Sequence, residues 1–63
     1  MIIKKLKDKD WFMWEGHPYI IGKEYEEDIF HCWNYDDSCI EKFGGNTEVE
    51  KMSSLDVSYL VCT

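Results

Sequence analysis

The chain has 63 residues, 44% of them hydrophobic and 16% aromatic, and a formal net charge of −6. That apolar content excludes intrinsic disorder, and the length predicts one small domain over residues 1–63 with a modest core. Thirteen acids face seven lysines and no arginine, which argues against the clustered cations that bind nucleic-acid phosphates or anionic membranes.

The start, Met1-Ile2-Ile3-Lys4-Lys5-Leu6-Lys7, has no apolar run of signal-peptide length, and no later stretch could span a bilayer. The expected compartment is the cytoplasm. Cys32, Cys39 and Cys62 are odd in number and read as reduced thiols acting as small hydrophobes. Ala, Arg and Gln do not occur, whereas six Ile, three Val and ten aromatics do. This composition favours strands over helices.

Residues 2–6 read as a first strand or a lead-in. Trp11-Phe12-Met13-Trp14, the turn Glu15-Gly16-His17-Pro18 and the apolar Tyr19-Ile20-Ile21 predict a hairpin of 11–14 against 19–23. Glu24 to Asp28 predict a strand end and an exposed turn. Ile29 to Trp33 is the clearest strand, expected to be a central one. Ile29, His31 and Trp33 share one face, and Phe30 and Cys32 the other. The polar residues 34–38 predict a turn, and residues 39–43 a strand ended by Gly44-Gly45-Asn46. Thr47 to Met52 alternate as another strand. After Ser53-Ser54, the period-two apolar residues Leu55, Val57, Tyr59 and Val61 predict a last strand. The fold class is therefore all-β, a small five-stranded, partly open barrel. The alternative is α+β, with Ser53-Ser54-Leu55-Asp56 capping a short C-terminal helix.

Leu6, Trp11-Phe12 with Trp14, Gly16-x-x-Tyr19, Cys32-Trp33 and Phe43-x-x-Asn46-Thr47-x-Val49-Glu50, then Met52, form an ordered pattern. It resembles small uncharacterised proteins of tailed bacteriophages and prophages with a Src-homology-three-like barrel layout. The resemblance runs from Leu6 to Met52 and implies a fold and a phage origin, with the host cytoplasm as its setting. It implies no activity, because such folds carry many functions.

His17, His31 and the three cysteines lack the close pairs typical of zinc sites, and on a strand His31 and Cys32 point apart. No metal or cofactor is expected. The acidic clusters 24–28 and 36–37 fall at turns, in a chain too short to build a catalytic cleft around a carboxylate pair. The expected role is non-enzymatic.

The aromatics outnumber the places in so small a core. Phe12, Phe30, Trp33 and Phe43 are assigned to it. Trp11, Trp14, Tyr25 and Tyr35, with the acids Glu26, Glu27, Asp36 and Asp37, are the candidate partner-binding residues. The expected function is a protein-binding module with an unknown protein partner. The alternative is an acidic inhibitor of a host DNA-processing or defence enzyme, acting by steering or DNA mimicry. The weakly charged segment from Leu55 to Thr63, read as an edge strand, predicts a homodimer through Leu60.

Overall fold

The structure is a computed structural model and describes residues 1–61. It is mostly β: strands β1 (Trp11–Trp14), β2 (His17–Glu26), β3 (Ile29–Asn34), β4 (Cys39–Gly44) and β5 (Glu50–Lys51), followed by one short helix, α1 (Ser54–Val61). All strand pairs are antiparallel, in one open sheet of order β4-β3-β2-β1-β5. No helix among the described residues is long and apolar enough to cross a membrane.

Turn chemistry sets the meander. Glu15 and Gly16 carry φ of 51° and 78° and form the two-residue loop closed by the Trp14–His17 pair. Positive φ at both loop residues matches the twist of the flanking strands, and glycine takes it without strain. Gly22 lies within the first of two register shifts in β2, between Ile21 and Glu24, and a Cβ there would run into the His31 carbonyl. At the β3–β4 loop, Asn34 Oδ1 accepts a 3.0 Å bond from the Asp37 amide, a side-chain substitute for a backbone turn.

Alternation then sorts the side chains. Phe12, Tyr19, Ile21, Cys32 and Phe43 lie on one face, each at most 6% exposed, and with Ile3, Leu6 and Val49 they form the core. Phe12 stacks on Tyr19 with centroids 5.3 Å apart, and Phe43 meets both rings edge-on. The N-terminal segment closes this face. It makes a 3-10 turn over Ile3–Lys5 rather than a strand, and it is tied to the returning chain by Ile3 to Thr47, Lys4 to Gly45 and Val49 to Met1 backbone bonds.

Three expectations are corrected. Residues 55–61 are helix, not a last strand. Ser53 Oγ accepts from the Asp56 amide at 3.1 Å, and Asp56 Oδ2 accepts from the Ser53 amide at 3.3 Å. This reciprocal cap starts α1 and overrides the alternating pattern. Leu60 is therefore half-buried on a helix, not outward on an edge strand. Cys62 and Thr63 lie outside the described residues. Trp33 is not core: it is 37% exposed, because the register of β3 on β2 turns Cys32 and Asn34 inward instead. β3 is a central strand as expected, paired on both sides by β2 and β4.

Phe12→Ala is expected to cost about 3–5 kcal/mol, enough to unfold a domain of this size. Trp33→Ala is expected to cost about 1 kcal/mol, since its ring already meets water. Urea denaturation of the two variants checks the difference; equal losses would contradict this sidedness.

Candidate functional site

The outer face of the sheet carries apolar side chains in register. Trp11 lies opposite Ile20, Ile20 opposite Trp33, and Trp33 opposite Ile40, so one row crosses four strands. Directly opposed residues share a face with close Cβ atoms, so the row is continuous. Exposure rises along it: Trp11 and Ile20 are half-buried, Trp33 is 37% exposed and Ile40 58%. Tyr35 extends the patch, its ring 5.3 Å from that of Trp11. Contiguous exposed apolar surface of this kind marks an interaction site more often than scattered single residues do.

Carboxylates gather at both ends of the sheet, because strand direction alternates and the acids occupy its turns. Glu15, Asp36 and Asp37 stand at one end; Glu24, Glu26, Glu27 and Asp28 stand at the other. At the first end His17 Nδ1 and Asp36 Oδ2 are 2.9 Å apart. The hydrogen bond to Asp36 holds the His17 pKa above its ordinary 6.5.

Behind this end lies a polar network. Asn34 is 1% exposed, and its Nδ2 donates to Glu41 Oε2 at 2.8 Å and to Tyr19 Oη at 3.1 Å. Tyr19 Oη donates in turn to Glu41 Oε2 at 3.0 Å. A buried amide needs such partners, since an unsatisfied one costs about 1–3 kcal/mol. The Asn34 and Tyr19 bonds hold the Glu41 carboxyl below its ordinary 4.5, whereas burial pushes the Tyr19 hydroxyl up to about 12.

The thiols differ. Cys32 is fully buried, and burial raises its pKa to about 11. Cys39 is exposed but also raised, by desolvation and then by Glu41 and Asp37, which keeps it a thiol rather than a nucleophilic thiolate. One ligand atom each from Asp37, Cys39 and Glu41 fall within 4.8 Å of one another. Glu41 Oε2 is already committed to Tyr19 and Asn34, and His17 turns to Asp36, so no histidine joins that group.

Of the sequence-predicted partner-binding residues, Trp11 and Tyr35 come together on the outer face, next to Asp36 and Asp37. Trp14 points inward, edge-on to Phe43 at 5.0 Å. Tyr25 is 73% exposed and stacks on His31 at 4.7 Å, beside Glu26 and Glu27 at the far end of the sheet. His31 Nε2 is buried there without a hydrogen bond, and Cys32 faces the opposite side of the strand. Sequence reading missed Ile20, Trp33 and Ile40 as one surface, and missed the buried role of Asn34. The even spacing of Ile20 from Pro18 and of Trp33 from His31 carried that signal only once strand register was known. No family model matches the chain, and no curated protein or solved structure is significantly similar to it.

The two shifted groups predict opposite pH limbs. The bond that lowers Glu41 stabilises the fold above pH 4.5 and is lost as pH falls through the lowered value; the His17–Asp36 contact stabilises below pH 6.5 and is lost as pH rises through the raised value. Glu41→Gln is therefore expected to flatten the acid limb of a pH–stability profile while leaving the limb above pH 6.5 in place. An unchanged acid limb would mean that Glu41 is not held by Tyr19 and Asn34.

Proposed function

We propose that the chain is a non-enzymatic protein-binding module of phage type, a small barrel of Src-homology-three-like layout that holds a protein partner on its outer sheet face. The observation that carries this reading is the row Trp11-Ile20-Trp33-Ile40, four apolar residues in register whose Trp33 and Ile40 remain 37% and 58% exposed. Its aromatic content suits a binding hot spot, where Trp and Tyr dominate. The meander of four strands with β5 returning beside β1 supports the barrel layout. The carboxylates at both ends add steering toward a partner whose apolar strip is flanked by lysine and arginine.

A second reading, an acidic inhibitor that occupies the DNA-binding surface of a host enzyme, is favoured by those same two acidic ends, which lie roughly 30 Å apart along β2. The two readings divide on variants. Partner capture from host lysate by the immobilised chain is compared with capture by Trp33→Asp and by a Glu26→Gln, Glu27→Gln, Asp36→Asn, Asp37→Asn variant. The module reading expects Trp33→Asp to weaken the captured complex by at least about 30-fold, with an unchanged circular dichroism spectrum. The inhibitor reading expects the amide variant to abolish capture of a nuclease or restriction enzyme while Trp33→Asp retains it.

A further inference from the structure

The outer-face row ends at a free sheet edge. β4 pairs with β3 alone, and past its end the Gly45 amide turns back to Asp28 and the Thr47 amide to Gly44. Among the described residues, no second strand meets the outward backbone groups of 39–43. The opposite edge, β5, is only two residues long and runs at once into α1. A long free edge is a template for a further strand.

The side chains of β4 alternate in chemistry as well as in direction. Ile40 and Lys42 lie on the outer face, and Cys39, Glu41 and the buried Phe43 on the inner one. Glu41 is fixed from behind by the neutral donors Tyr19 and Asn34, both bonded to Oε2, which leaves Oε1 for a cation. A second copy does not suit this edge. A two-fold axis through an antiparallel pair keeps each face on its own side, so a central residue must oppose itself. Centring on Glu41 sets two carboxylates together, and centring on Lys42 sets two ammonium groups together, both destabilising. Centring on Ile40 leaves only residues 39–41 to pair before the turn at Ser38. Each copy also carries a net charge of −6.

We propose that β4 takes up an extended segment of a different protein by antiparallel strand addition, with a basic side chain of that segment opposite Glu41, an acidic one opposite Lys42 and an apolar one opposite Ile40. This rests on the reading of the chain as a protein-binding module and names how the partner is held. The added strand continues the row Trp11-Ile20-Trp33-Ile40 by one more apolar residue. Main-chain bonds supply affinity, and the charge order supplies specificity.

The test uses isotope-labelled protein and two capped peptides. Thr-Val-Glu-Lys-Val-Thr sets its Lys opposite Glu41 and its Glu opposite Lys42. Thr-Val-Lys-Glu-Val-Thr exchanges those two charges. The first peptide is expected to shift the amides of residues 39–43 and slow their hydrogen exchange, and to bind roughly fivefold or more tighter than the second. Equal affinities, or no change in β4 exchange at several millimolar peptide, would overturn the proposal. Shifts confined to Trp11, Ile20 and Trp33 with β4 exchange unchanged would also overturn it while leaving the outer-face reading intact. Failure of the outer-face reading shows instead as undiminished capture by Trp33→Asp.

Discussion

The stacked pair Phe12 and Tyr19, opposite each other on β1 and β2, sets the sidedness of the whole sheet. A strand has a side-chain period of two, so committing these two rings inward commits every alternate residue of the sheet outward. Ile21, Cys32 and Phe43 follow the rings into the core, and Trp11, Ile20, Trp33 and Ile40 go the other way. A one-residue slip would exchange the two sets and expose the core rings. The Glu15-Gly16 loop prevents that slip by fixing the hairpin register at its closed end.

A second consequence follows from size. Among the described residues, the N-terminal turn and the returning segment that pairs with it cover the inner face through Ile3, Leu6 and Val49. On the outer face, an open groove beside Trp11 is lined in part by Met52 and by Val57 of α1, while Trp33 and Ile40 remain 37% and 58% exposed. With ten aromatics in 63 residues, apolar surface is left outside. The sequence places its acids at the turns, so this surface lies between two charged ends. Apolar centre and charged rim together are what the proposed protein-binding role would use. The buried Asn34 ties one charged end to the core, because the same amide that closes the β3–β4 turn also positions Glu41.

Much of the hairpin architecture was legible in the residues. The strands around 11–14, 19–23, 29–33 and 39–43 are bounded by Gly, Pro, Asn and Asp, whose turn chemistry is local. The two-face grouping of 29–33 was legible too, but which face turns inward was not. Ring size favours Trp33 for the core, whereas the pairing of Cys32 with Ile21 and of Asn34 with Tyr19 decides against it. Pairing is non-local and leaves no mark on the strand itself. Residues 55–61 failed for another reason. Their alternation suits a strand, but β5 pairs with β1 over two residues only, and the chain then enters the reciprocal Ser53–Asp56 cap, which starts a helix. The Ser53–Asp56 cap was present in the sequence and outweighs the composition. The outer row itself could not be seen in advance, since it unites residues from four strands.

The sidedness of the sheet is the claim on which both the fold and the proposed binding surface rest, and side-chain solvent contact measures it directly. In a nuclear magnetic resonance spectrum recorded with a soluble paramagnetic agent, the Trp33 indole and the Ile40 methyls are expected to broaden strongly. The rings of Phe12, Tyr19 and Phe43 are expected to be spared. Broadening of Phe12 and Phe43 with protection of Trp33 would show the sheet facing the other way, and would contradict the account.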